Sequence, residues 1–150
     1  RTWERTPPLN ERSEAGLIQP TVLTWPSGRT QLLCRCRQGA IYESWMGARW
    51  SEWSKPQPIQ LPNPNSGIDA VMLADGRALL VYNHTPRGRS PLNVAVSRDG
   101  RAWQPVLALE DQPGEYSYPA VIQSRDGRVH ITYTWKRQLI RHVELDPRRF

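Results

Sequence analysis

Short apolar runs alternate with clusters of Gly, Pro, Asn and Asp along this chain, and no stretch keeps the three-to-four-residue apolar spacing of a helix. Runs rich in Val, Ile, Leu and Tyr, bounded by turn formers, predict strands. They fall near residues 19–25, 30–37, 39–45, 68–74, 78–84, 91–97, 118–124, 128–134 and 138–145. The first two strands of each triplet are separated by Ser27-Gly28, Asp75-Gly76 or Asp126-Gly127. Gly accepts positive φ, so each pair predicts a hairpin turn.

The strands come in a repeating phrase. Ser27-Gly28-Arg29, Asp75-Gly76-Arg77 and Asp126-Gly127-Arg128 each lead into an apolar strand. A second phrase, Arg1-Thr2-Trp3, Arg49-Trp50 and Arg101-Ala102-Trp103, runs out of step with the first. Periods of about 50 residues mark one supersecondary unit used repeatedly, as in propeller blades. Each unit reads as strand, tight turn, strand, short link and strand, then the Trp phrase and a proline-rich crossover. The crossovers, Lys55 to Asn65 and Leu107 to Tyr116, read as loops. The expected fold is all-β: a β-propeller with about three four-stranded antiparallel blades. One domain covers 1–150, with repeats roughly 1–50, 51–103 and 104–150. The chain starts inside a Trp phrase and stops soon after a third strand, so a partial propeller is expected.

Charge and cysteines narrow the partners. The net charge of +6, mostly from arginine spread along the chain, permits nucleic acid, acidic glycans or small carboxylates, or a solvated mixed surface. Seven tryptophans against one phenylalanine suit a repeat motif with one Trp per unit, or a carbohydrate site. No apolar run spans a bilayer and no signal peptide is present, so no membrane partner is expected. Cys34 and Cys36, two apart on a strand, face one side and make poor disulfide geometry; both read as buried thiols. They do not form a zinc site, and no metal or cofactor is expected.

Ser97-Arg98-Asp99-Gly100-Arg101-Ala102-Trp103 resembles the Asp-box of bacterial neuraminidase repeats, and Ser44-Trp45-Met46-Gly47-Ala48-Arg49-Trp50 looks like a degraded copy. In that motif Ser and Asp tie a hairpin turn while Trp packs in the blade. Leu61-Pro62-Asn63-Pro64-Asn65-Ser66-Gly67, Leu80-Val81-Tyr82-Asn83, the run from Arg89 to Ser97, and Tyr116-Ser117-Tyr118-Pro119 are similar to the sialidase-like propeller family, in its predicted-neuraminidase branch. The resemblance covers nearly the whole chain and corresponds to the later blades of a six-bladed propeller.

The resemblance implies a site. Sialidases bind a carboxylate with three arginines and use a tyrosine nucleophile assisted by a glutamate, with an aspartate as acid/base. Tyr118, eight residues before Asp126, has the nucleophile's spacing, with Tyr116 competing; Arg89 and Arg35 resemble two of the arginines. A guanidinium pairs both oxygens of a carboxylate and keeps its charge. The alternative for each arginine is a surface or inter-blade salt bridge. The glutamate position reads as Gln19, which cannot take a proton from the tyrosine; Glu115, three before Tyr118, is the substitute. Asn65 and Asp69, with Asn63 and Ser66, are further candidates for substrate binding, or turn caps. His84, His130 and His142, spread over the repeats, offer a base for β-elimination or act as structural histidines. Asn83-His84-Thr85 matches a glycosylation sequon.

Four expectations follow. The first is a sialidase-like glycosidase-family protein that recognises, and in an active form cleaves, an acidic sugar, with a uronate-type polysaccharide lyase as its variant. The second is a non-catalytic glycan-binding module. The third, a nucleic-acid binder, rests on charge alone and is set aside. The fourth is an inactive propeller fragment. The partner is an acidic carbohydrate, with a homodimer completing the ring. The resemblance implies a secreted or periplasmic location, against which stand the two thiols and the missing signal segment.

Overall fold

The computed structural model describes residues 15–47 and 52–150, together with 2, 3, 5, 8 and 9. Its eleven strands are β1 (Ile18–Thr24), β2 (Thr30–Arg35), β3 (Ala40–Met46), β4 (Gln57–Pro62), β5 (Asp69–Met72), β6 (Ala78–Asn83), β7 (Leu92–Ser97), β8 (Trp103–Glu110), β9 (Tyr116–Gln123), β10 (Val129–Trp135) and β11 (Leu139–Leu145). They form three antiparallel meanders: β1-β2-β3-β4, β5-β6-β7-β8 and β9-β10-β11. A short 3-10 turn, Pro147–Arg149, follows. Among the described residues no helix is long and apolar enough to cross a membrane.

The blades stack face to face, and two apolar layers join them. Leu23, Leu33 and Ile41 of the first blade pack with Ala78, Leu80 and Tyr82 of the second. Leu79, Val81, Val94 and Val96 of the second pack with Val121, Val129, Ile131 and Tyr133 of the third. The middle blade is therefore covered on both faces, and all six residues of β6 are buried. That is why Ala78–Asn83 reads as a continuous apolar run rather than an alternating one.

The three hairpin turns share one geometry. In each, the glycine N–H returns to the carbonyl three residues earlier: Gly28 to Trp25 at 2.8 Å, Gly76 to Leu73 at 2.9 Å and Gly127 to Ser124 at 3.0 Å. All three glycines have φ between 78° and 86°, a region costly for residues with a Cβ.

Two strands lie in segments that read as loops. β4 and β8 fall in or beside the crossovers from Lys55 and Leu107. Both are outermost strands of their sheets, mostly exposed, and lack a clean alternation. Pro58, Pro62 and Pro105 sit opposite Tyr42, Ala40 and Ala95. Proline is tolerated on an edge because its missing N–H can face outward. The third blade has three strands among the described residues, in keeping with a chain that stops soon after a third strand.

The Asp-box of the second blade performs the expected task. Ser97 Oγ accepts from Gly100 N at 2.9 Å, and Asp99 Oδ1 accepts from Arg101 N at 2.8 Å and Ala102 N at 2.9 Å. Trp103 Nε1 donates to the Gly100 carbonyl at 2.9 Å. That carbonyl also accepts from Gln31 Nε2 of the first blade at 2.8 Å, so the box ties blades as well as its own turn. In the degraded copy, Ser44 to Gly47 are described, while Ala48 to Trp50 lie outside the described residues, as does Arg1.

Cys34 and Cys36 are buried free thiols. Burial, and secondarily Cys36, pushes the Cys34 thiol up to about 11. At pH 8 about one Cys34 in a thousand is then ionised. Native protein should therefore react with an aromatic disulfide reagent at Cys34 far more slowly than urea-unfolded protein; equal rates would contradict the burial. Gly100 is a second test point. A Cβ there would stand 2.6 Å from Gln31 Oε1 and 2.7 Å from both Trp25 and Trp45, at φ +75°. Gly100→Ala should destabilise the protein by about 3 kcal/mol, read from denaturant midpoints.

Candidate functional site

One end of the three blades is built from the first residues of the inner strands. Gln19, Gly67 and Tyr118 each stand nine residues before their turn glycine, so they occupy the same slot in successive blades. At Gln19-Pro20 and Tyr118-Pro119 the strand pairing slips: it breaks between Ile18 and Pro20, and between the partners of Thr132 and Thr134. Gln19 has φ 50° and Tyr118 φ 52°. Such bulges re-aim a side chain out of the ladder, and positive φ at non-glycine residues is strain that collects at functional positions. Gly67 carries no side chain. A Cβ there would lie 3.1 Å from Tyr118 Cδ1 and 3.7 Å from Gln19 Oε1. The three slots therefore converge, and the empty one leaves room for the Tyr118 ring, which is 53% exposed.

Arg89 flanks the Tyr118 ring. Arg89 lies between β6 and β7, where its carbonyl accepts from Tyr116 N at 3.1 Å. Its guanidinium carbon is 5.3 Å from the centre of the Tyr118 ring, within cation–π range. Its Nε is 3.9 Å from Glu115 Oε1. Its Nη1 is out of solvent with no hydrogen-bond partner among the described residues. Arg35 ends β2 opposite Ile18, beside the Gln19 slot. Its Nε is likewise buried without a partner among the described residues. No hydrogen bond or ion pair joins Arg35 to Arg89 or Tyr118 within that set.

Glu115 is held by a third arginine. Its Oε1 accepts from Arg137 Nε at 2.9 Å. That bond, then the Glu115 charge and lastly Tyr118, raise the Arg137 pKa above the ordinary arginine value. Lys136 and Arg137 form the β10–β11 turn with φ 51° and 55°, the geometry of a tight type I′ hairpin. Lys136 N donates to the Glu115 carbonyl at 2.7 Å, which docks this turn on the loop before β9. Arg137 was not among the residues singled out by sequence. It reaches the site through a hairpin whose position depends on tertiary contacts, and no local motif marks it.

Asp69 and its neighbours form the scaffold beneath. Asp69 Oδ1 accepts from Thr21 Oγ1 at 3.0 Å and from Ala70 N at 2.9 Å, and Oδ2 accepts from Val121 N at 2.9 Å. One carboxylate thus ties the inner strands of all three blades. Asn65, at φ 59°, has a buried Oδ1 without a partner among the described residues. Asn63 and Ser66 join Asn83: Ser66 N donates to Asn63 Oδ1 at 2.9 Å, and Ser66 Oγ donates to Asn83 Oδ1 at 2.6 Å. Asn83 Nδ2 donates to the carbonyls of Arg89, Pro91 and Tyr116 at 3.0–3.1 Å. Asn83 is fully buried, so the sequon nitrogen is closed to modification in the folded chain. His84 bonds to Tyr82. His130 and His142 lie together on the third blade, not in different repeats.

An arc of four-stranded and three-stranded meanders, with an arginine-flanked tyrosine at the mouth of its inner strands, defines blades of a sialidase-type β-propeller. The chain belongs to the BNR repeat-like domain family, whose model matches residues 1–131. No curated protein matches it by sequence. Among solved structures it is similar to the NanB sialidase of Streptococcus pneumoniae (14% identity, TM-score 0.71), covering 92% of this chain and 24% of that one. It is similar to the intramolecular trans-sialidase of Ruminococcus gnavus, a structure in complex with oseltamivir carboxylate (15%, TM-score 0.66), with 91% and 33% coverage. It is also similar to an ulvan lyase of polysaccharide lyase family 25 bound to a -[GlcA(1-4)Rha3S]- ligand (16%, TM-score 0.60), with 77% and 31% coverage. At these identities the likeness is one of fold, and the chain spans a quarter to a third of the length of these structures.

The Asp69 tie makes a stability prediction. Asp69→Ala removes three acceptor contacts and strands the Val121 N–H between blades. We expect a loss of roughly 3 kcal/mol, with Asp69→Asn losing less, measured by urea unfolding. A neutral effect of Asp69→Ala would remove the carboxylate from the blade junction.

Proposed function

We propose that the Arg35, Arg89 and Tyr118 end of these blades binds a carboxylate-bearing sugar. The observation that carries this reading is Arg89: a guanidinium over an exposed tyrosine ring, with one nitrogen out of solvent and unpaired within the described residues. Buried polar hydrogens are nearly always satisfied, and an orphaned one points to a missing acceptor. A sugar carboxylate supplies two oxygens in the plane a guanidinium presents. Arg35 Nε offers a second unpaired donor. The Tyr118 face supplies a surface for the sugar ring, and Asn65 Oδ1 an unpaired acceptor for a hydroxyl.

Recognition is the central role in this reading. Gln19 stands in the slot where the family resemblance puts a glutamate, and its amide neither gives nor takes a proton at neutral pH. Glu115 is bonded to Arg137, and no hydrogen bond links it to Tyr118 among the described residues. Those two facts favour a binding module over a tyrosine-nucleophile hydrolase. Elimination is the variant reaction. An arginine neutralising a uronate carboxylate acidifies C5–H, solvent hydroxide takes that proton, and the 4-oxygen leaves with the Tyr118 phenol proton as the C4=C5 bond forms.

Calorimetric titration with glucuronate, its oligosaccharides and glucose tests the reading. The acidic sugars should bind and glucose should not, and Arg89→Ala should weaken binding by about tenfold or more. Tyr118→Phe should leave the affinity within about threefold of the parent. Equal binding of glucose and glucuronate, or indifference to Arg89→Ala, would sink the carboxylate site. A rise in near-ultraviolet absorbance from an unsaturated product, lost in Tyr118→Phe, would establish the elimination variant.

A further inference from the structure

The outer face of the third blade differs in kind from the matching face of the second. In the second blade that face is Leu79 paired with Val96 and Val81 paired with Val94, all buried against the third blade. The third blade has the same register. Leu79 and Val81 correspond to His130 and Thr132, each at the same distance past its turn glycine, and these pair with Glu144 and His142. Four aliphatic side chains are replaced by two imidazoles, a hydroxyl and a carboxylate. An apolar layer gives no reason for this exchange, since each polar group would lose water on burial.

The polar groups are ordered into a chain. His130 Nδ1 lies 3.0 Å from His142 Nε2, with the rings 9° from parallel. His130 Nε2 lies 3.1 Å from Ser124 Oγ. Ser124 Oγ has one proton, for which the Asp126 carboxylate and, at 3.0 Å, the Arg128 carbonyl compete. Asp126 is held ionised, its pKa lowered first by the Ser124 bond and then by the Arg128 amide. The charged acceptor takes the proton. Ser124 must then accept from Nε2–H of His130, which leaves Nδ1 as the lone pair of that ring.

This is the arrangement of a histidine metal ligand: one ring N–H is fixed by an outer chain ending in a carboxylate, and the other nitrogen presents its lone pair. Without a metal, His142 Nε2–H donates to that lone pair; moving the His142 proton to Nδ1 frees both nitrogens for one ion. Two nitrogens bound at about 2.0–2.1 Å to a tetrahedral ion stand about 3.3 Å apart, so the observed 3.0 Å needs an opening of a few tenths of an ångström. We propose that His130 and His142 chelate a divalent transition-metal ion of the nickel, copper or zinc class, for which imidazole is a preferred ligand. Among the described residues no group of three or more metal-ligating side chains is poised for a metal. The site is therefore a two-histidine chelate completed by water, with Glu144 the acidic residue opposite His130. Arg128 Nε, 3.8 Å from Glu144 Oε1, competes for that carboxylate.

Titration with Ni²⁺ tests the site, followed by thermal unfolding and by paramagnetic broadening of backbone amide signals. Sub-millimolar Ni²⁺ should raise the unfolding temperature, with broadening centred on residues 130 and 142. Protons compete for imidazole nitrogens, so affinity should fall on acidification. His142→Ala, at an exposed position, should weaken binding by about tenfold or more, and Ser124→Ala by about tenfold through loss of the outer chain. His84→Ala should change nothing. Broadening centred elsewhere, affinity unchanged in His142→Ala, or no binding at sub-millimolar Ni²⁺ would each overturn the assignment.

Discussion

The carboxylate of Asp69 is where the three blades meet. It receives a hydroxyl from the first inner strand, its own strand's amide and an amide from the third. Apolar layers between the sheets supply most of the cohesion, but such layers are non-directional and allow sliding. A charged acceptor with donors from three strands fixes the stagger of one blade on the next. The slots occupied by Gln19 and Gly67 stand two residues before Thr21 and Asp69, and that of Tyr118 three before Val121. The spacing of the site is therefore inherited from this junction.

Three of the described positive-φ non-glycine residues stand a few positions before the junction residues of their strands. Gln19, Asn65 and Tyr118 all have positive φ without being glycine, each at a cost of order 1–3 kcal/mol. The surroundings over-determine them: a proline follows Gln19 and Tyr118, and the Asn63–Ser66–Asn83 network holds the loop that carries Asn65. Asn83 also gathers the carbonyls of Arg89 and Tyr116. A single buried amide thus links the backbone of the arginine to the segment carrying the tyrosine, keeping Arg89 and Tyr118 in register without direct hydrogen bonding between their side chains.

Much of this architecture is local in origin and could be read from the chain. The turn glycines need positive φ, the Asp-box closes within seven residues, and the buried face of β10 alternates, so each leaves a pattern in sequence. Arg89 and Tyr118 come together because their offsets from the turns match those of a repeat whose geometry is fixed. β4 and β8 leave no such pattern, because an exposed edge strand needs neither alternation nor every N–H. The tasks of Asp69 and Arg137 are likewise invisible locally: Asp69 bonds an amide 52 residues away, and Arg137 arrives on a hairpin docked through the Glu115 carbonyl. Asp69 read as a sugar ligand because a polar residue at a strand entrance looks the same whether it faces solvent or another blade.

The equivalence of the Gln19, Gly67 and Tyr118 slots has an evolutionary consequence. Repetition of one unit around an axis makes a set of interchangeable sockets, each already aimed at its neighbours before any of them has a chemical task. A change in one socket then alters chemistry without disturbing the frame, because the hydrogen bonds that set the frame lie two or three residues further along each strand. Glutamine and glutamate codons differ by a single base. At position 19, that one base separates a neutral amide from a proton-accepting group beside the tyrosine socket, so the chemistry of this end can change with almost no architectural rebuilding.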